Sequence, residues 1–224
     1  MFIGHSAAAF ALASRSRAAP LWALLAGTAF LDVLFGVFGA LGLERAVVHE
    51  PPIFANLELI DLGYSHSLLA SLLWSALAFA VGRAAWRSNE AGALLAASVF
   101  SHYLLDVLSH RPDMKVIGFG ADPDWKLGTG LANWPTAFFA VEAAFSLLAV
   151  RLYAPQNLRL RATTVVLLAV WSNQVFGFAL PPAPGPVEAG VITIAGFALI
   201  SVVFAWAARR PARGGAAVPT SNPG

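Results

Sequence analysis

The chain has 224 residues, of which 58% are hydrophobic and only 12% charged, with a mean hydropathy of +0.70. Soluble domains carry roughly 25% charged residues, so most of this surface must face lipid; the same composition excludes disorder, collagen and coiled coil. A net charge of +2 is too small to point to nucleic acid, and the lack of Cys excludes disulfides and thiolate sites, leaving His and carboxylates as ligands for any metal.

A spanning helix needs about 20 mostly apolar residues. The chain opens with a shorter apolar segment, 2–13, which reads as a half-helix entering the bilayer. It lacks a basic start and a clear small-residue cleavage site, so it does not read as a signal peptide. Six full-length stretches follow, at 20–43, 64–86, 90–110, 130–151, 161–181 and 188–208. Pro20, Asn89 and Pro186 stand where helix starts are expected. Pro181-Pro182 and Pro184-Gly185-Pro186 form a tight connection between the last two spans. The expected fold is therefore all-α: a polytopic transmembrane helix bundle of six spans plus an N-terminal half-helix. It forms one domain over 1–210, and the Pro-, Gly- and Ala-rich tail at 211–224 is expected to be disordered.

Basic residues sort by side. Ten of the fourteen fall on the side that holds the C-terminus, from Arg15 and Arg17 to Arg209, Arg210 and Arg213. Basic loops stay cytoplasmic. The expectation is a multi-pass protein of the inner (plasma) membrane with its C-terminus inside. The loops at 44–63 and 111–129 then face outward. They carry Glu44, Glu50, Glu58, Asp61, Asp113, Asp122 and Asp124, an acidic outer face.

Ionisable groups at membrane depth are costly and mark functional sites. Seven stand out: His5, Asp32, His66, His102, Asp106, His110 and Glu142. At 1.5 Å rise per residue, Asp32 and Glu142 fall near mid-membrane. His102, Asp106 and His110 lie in the outer half of their span, and His66 at the outer edge. His5 reaches about mid-depth if the half-helix rises from the inner side. Five distant segments thus bring polar groups into one slab. His102, Asp106 and His110 are spaced i, i+4, i+8 and share one helix face. A His and a carboxylate one turn apart can chelate a metal, or the carboxylate can orient the His. Ser65 or Ser67, beside His66, can bond a substrate or a group behind the ligands. His49 reads as a solvated loop residue. Trp74, Trp86, Trp134, Trp171 and Trp206 read as interfacial or packing aromatics.

Several ordered elements carry a resemblance. They are Met1-Phe2-Ile3-Gly4-His5, Phe30-Leu31-Asp32, Tyr64-Ser65-His66-Ser67-Leu68-Leu69 and Ser101-His102-Tyr103-Leu104-Leu105-Asp106. His110-Arg111-Pro112-Asp113, the run Gly128 to Asn133, Thr136 with Val141-Glu142, and the prolines at 181–184 follow. To about Arg209 the chain resembles the prokaryotic membrane-bound metal-dependent hydrolases, a family of integral membrane proteins. The resemblance implies a metal site on His5, Asp32, His66, His102 and Asp106, with His110, Asp113 and Glu142 as additions. Where the family often has a His-Arg-Gly run and then Thr-His-Ser, this chain has Asp61-Leu62-Gly63 and Ser65.

Three functions compete. The first is a metal-dependent hydrolase: a divalent metal, by ligand type zinc, held by His5, Asp32, His66, His102, Asp106 and His110, activates water. Asp32, Asp106 or Glu142 acts as base, and the substrate is a lipid or other small amphiphile. The second is a proton- or ion-coupled transporter using the same Asp and His groups; it is disfavoured because they gather toward one side. The third is a structural or regulatory protein whose polar groups only tie helices together. Such bonds average about 0.6 kcal/mol, too little to account for so many.

Overall fold

The computed structural model describes residues 2–48, 55, 57–120, 124–176 and 186–209. Seven helices run in chain order: α1 Ile3–Arg15, α2 Leu21–Ala40, α3 Leu68–Trp86, α4 Asn89–Ser109, α5 Pro135–Tyr153, α6 Leu158–Phe176 and α7 Pro186–Ala208. Pro20 precedes α2 and Pro186 opens α7, where a missing N–H costs nothing. Ser67 and Ser88 cap α3 and α4, each accepting from the amide three residues on.

Five helices are long and apolar enough to cross a membrane: α2, α3, α4, α5 and the Gly190–Ala208 part of α7. The fold is thus an all-helical bundle of a multi-pass membrane protein, with five such helices among the described residues where the sequence suggests six spans. The difference lies at 161–181. Helix α6 begins earlier, with Arg159 and Arg161 in its first turn, and carries Ser172, Asn173 and Gln174 in its last described turns, which lower its apolarity. Residues 177–185, with the Pro181-Pro182 connection, lie outside the described residues, as do His49 and the 211–224 tail.

The helices turn small and polar residues inward and aliphatic ones outward. Ser71, Ser75, Ser98, Ser146 and Thr164 are buried, while Leu72, Leu73, Leu77, Val166, Val170, Ile192 and Leu199 are exposed. A water-soluble bundle has the opposite arrangement; lipid, as apolar as leucine, allows this one. Small residues let backbones approach. A Cβ on Gly190 of α7 would lie 2.3 Å from the Gly36 carbonyl of α2, so this crossing requires glycine. Helix α1 is buried along most of its length and packs against α2, α4, α5 and α6. It is the short half-helix the sequence suggests, and it plugs the bundle.

The loops that follow α2 and α4 hold two antiparallel strand pairs that apolar periodicity does not reveal. β1 (Arg45–Val48) pairs with β2 (Leu57–Asp61), and β3 (Met114–Lys115) with β4 (Lys126–Leu127). They are tied together and to the helix ends. Lys115 pairs with Asp61 at 2.7 Å, the Leu59 amide donates to Asp113, and the Leu69 amide in the first turn of α3 donates to the Val116 carbonyl. The run from Gly128 to Asn133 closes α4. The Thr129 amide donates to the Val107 carbonyl and the Gly130 amide to that of His110, which satisfies carbonyls the helix end leaves open.

Candidate metal centre

Four segments converge beside the two strand pairs. His5 comes from α1, Asp32 from α2, His66 from the turn before α3, and His102 with Asp106 from successive turns of α4. His66 lies two residues ahead of its helix, so a short turn directs it. The imidazoles are almost wholly buried, and the Asp32 side chain, at 16% exposure, is the most accessible of the five.

The separations are tight. His66 Nε2 lies 3.2 Å from His102 Nε2, 3.6 Å from Asp32 Oδ1 and 3.7 Å from Asp106 Oδ2. His102 Nε2 lies 3.4 Å from Asp32 Oδ2 and 3.1 Å from Asp106 Oδ2. His5 Nε2 meets the other Asp106 oxygen at 3.1 Å, and its ring stacks on His102 at 3.8 Å, nearly parallel. Among the described residues, His5 Nδ1 is buried with no hydrogen-bond partner. Two triads, His5–Asp32–His102 and His66–His102–Asp106, each bring three ligand atoms within 4.8 Å of one another. These groups could hold a metal ion.

Behind the cluster, the imidazoles are anchored. His102 Nδ1 donates to the Thr28 carbonyl of α2 at 2.6 Å, an interaction that leaves Nε2 pointing inward. His66 Nδ1 lies 2.7 Å from Ser65 Oγ, which donates to Glu44 Oε2 at 2.5 Å. The Tyr64 and Ser65 amides donate to Glu44 Oε1 at 2.8 Å each. Ser67, by contrast, serves α3: it caps the helix and donates to the Gly63 carbonyl.

Two residues from the sequence reading stand apart from the triads. His110 follows the last residue of α4. Its Nε2 is 4.0 Å from Asp106 Oδ1, and its Nδ1 is 3.9 Å from Asp113 Oδ1. Helical spacing carries it toward Asp106, but the helix ends one residue short. Glu142 is buried on α5 and holds α1. Its Oε1 accepts from the Phe2 and Gly4 amides at 2.6 and 2.9 Å, and Oε2 accepts from the Trp171 indole at 2.6 Å. The start of α1 has no side-chain cap of its own, so a carboxylate from another helix supplies one. Glu142 therefore anchors the start of α1 and stands apart from both triads.

Asp113, in the loop after α4, is buried and accepts from the Leu59 amide at 3.2 Å. Burial pushes its carboxyl up to about 6, only partly offset by that bond and by Arg111. Two contributors escaped sequence reasoning. Glu44 sat among apparently solvated loop acids, although the neighbouring Leu41 and Leu43 hinted at an apolar setting. Thr28 contributes a backbone carbonyl, for which no residue-type signal exists. No protein-family model, curated protein or solved structure matches the chain.

Proposed function

We propose that the chain is an integral-membrane metal-dependent hydrolase of the inner (plasma) membrane, with its C-terminus cytoplasmic and its site opening toward the outer leaflet. We further propose that it belongs with the membrane-bound metal-dependent hydrolases it resembles. One observation carries the reading: the 3.1–3.7 Å spacing of nitrogen and carboxylate oxygen atoms from separate segments. Ligands about 2.0–2.2 Å from a tetrahedral zinc lie roughly 3.3–3.6 Å apart. The donor set, imidazole plus carboxylate without thiolate, also suits zinc or a similar borderline ion. A structural glue would not need two imidazole Nε2 atoms facing each other beside two carboxylates. The groups form one closed cluster and not a track across the bilayer, which favours chemistry over transport.

His66, His102 and Asp106 would hold the cation, and His5, stacked on His102, braces the other Asp106 oxygen. A divalent cation there would supply Lewis acidity and would lower the pKa of bound water to about 7. Asp32 faces both imidazoles and has the most accessible side chain, which suits it to take the proton of the attacking water. Water oxygen attacks the carbonyl carbon or phosphorus of an ester. The ester C–O or P–O bond breaks, and Asp32 returns the proton to the departing alkoxide. The surrounding lipid-facing helices favour an amphiphilic substrate that arrives from the bilayer. Elemental analysis of purified wild type and His102→Ala tests the metal, and release of phosphate or fatty acid from phospholipid vesicles tests the reaction. The expected result is stoichiometric zinc and hydrolysis in wild type and neither in the variant. Equal, near-zero metal in both would overturn the assignment.

A further inference from the structure

We infer that Glu44, acting through Ser65, is a positioning residue that fixes the tautomer of His66 and turns its Nε2 lone pair toward the cluster. The inference rests on the metal-site reading above for its purpose, but not for its geometry. Glu44 is buried, at 4% exposure, in the turn between α2 and β1. Nothing in a solvated acidic face requires that. Its Oε1 accepts from two backbone amides of the 64–65 turn, and its Oε2 accepts from Ser65 Oγ at 2.5 Å. Three donors converge on it, as an ionised carboxylate accepts them.

The proton count then fixes the rest. A serine hydroxyl has one proton, and here the carboxylate takes it. Ser65 Oγ can meet His66 Nδ1 at 2.7 Å only as an acceptor. His66 therefore carries its proton on Nδ1, and Nε2 is bare. That nitrogen lies 3.2 Å from His102 Nε2 and 3.6 Å from Asp32. A bare Nε2 is what a cation needs; an N–H there would have to be removed first. The Glu44–Ser65–His66 chain does for His66 what the Thr28 carbonyl does for His102. The outer turn thus sets which nitrogen of His66 can ligate, although Glu44 itself never reaches the cluster.

The test reads the tautomer directly. Protein labelled with 15N in its histidine rings is stripped of metal in detergent above pH 8, and the His66 signals are assigned by their loss in His66→Gln. Wild type is expected to show protonated Nδ1 and bare Nε2. In Glu44→Gln the side-chain NH2 donates to Ser65 Oγ, whose hydroxyl turns to donate to His66 Nδ1, so the ring is expected to switch to Nε2–H. Ser65→Ala is expected to lose the preference, and Ser65→Thr, which keeps the hydroxyl, to retain it. Zinc affinity, measured by chelator competition, is expected to fall 10- to 100-fold in Glu44→Gln and Ser65→Ala and to be preserved in Ser65→Thr. A wild-type ring protonated on Nε2, or a tautomer unmoved by both Glu44→Gln and Ser65→Ala, would overturn the inference. Should Glu44→Gln not fold, the wild-type and Ser65→Ala spectra decide it. Failure of wild type to bind zinc while the tautomer behaves as expected would sink the hydrolase reading and leave this one standing.

Discussion

Replacing Glu142 with glutamine separates an anchor from a catalyst. The amide keeps an oxygen for the Phe2 and Gly4 amides, but its NH2 now meets the Trp171 indole N–H, donor against donor. One charge-assisted hydrogen bond is lost, worth about 1.5–3 kcal/mol. The negative charge at the start of α1 is lost as well, worth about 1 kcal/mol and up to about 2 when partly buried. The expected destabilisation is therefore about 3–4 kcal/mol, well above the ~1 kcal/mol typical of a substitution. In a Trp171→Phe background the opposed donor is gone, so Glu142→Gln should cost only about 1–2 kcal/mol. The cycle then yields a coupling of about 2 kcal/mol between Glu142 and Trp171. Reversible unfolding in mixed micelles, followed by far-ultraviolet circular dichroism, measures all four proteins. Wild-type stability combined with lost ester hydrolysis in Glu142→Gln would refute the anchoring argument and make Glu142 a catalytic residue.

Three further outcomes are expected. Asp32→Asn should retain stoichiometric zinc yet lose about 10²–10⁴-fold in turnover; loss of the metal would make Asp32 a ligand and not the base. Asp113 has a carboxyl pKa of about 6 in the fold against an ordinary 3.8, so the folded state binds the extra proton between those values. Its stabilising contribution is full below about pH 4 and is lost as pH rises through about 6. Unfolding of wild type and Asp113→Asn across that range should diverge, and parallel curves would contradict the burial argument. Gly118 has φ +70°, and a Cβ there would stand 2.3 Å from the Gly63 carbonyl. Gly118→Ala should therefore cost at least about 1–3 kcal/mol and weaken zinc binding through the 63–67 turn. An unchanged melting temperature would show that the two loops can separate freely.

The bundle was legible because lipid demands long apolar runs, and α2, α3, α4, α5 and α7 each supply one. The α4 face was legible for a similar reason: helical geometry fixes the relation of His102 to Asp106 whatever surrounds them. Assembly of the cluster was only partly legible. Depth arithmetic brought Asp32, His5 and Glu142 to a similar level, but depth carries no lateral information, and Glu142 faces the start of α1. Helix α6 is the least apolar of the six long helices because Arg159 and Arg161 sit inside it and not before it. Glu44 was hidden because its burial depends on hairpins whose register comes from long-range pairing, as Arg45 meets Asp61 across the first of them.

The dispersal of the cluster along the chain bears on biogenesis. Asp32 enters the bilayer on α2, where a central aspartate costs about 2.5–3.5 kcal/mol on insertion scales. Ten Leu, Phe and Val residues of the same helix offset it at about 0.3–0.6 kcal/mol each, so α2 can be threaded into the membrane before His66 and His102 are made. Those residues come 34 and 70 residues later, at positions 66 and 102. The centre is thus completed only when the α3–α4 hairpin docks. An inserted chain stalled before α4 would hold Asp32 without His102 or Asp106, a chemical mark of incomplete assembly.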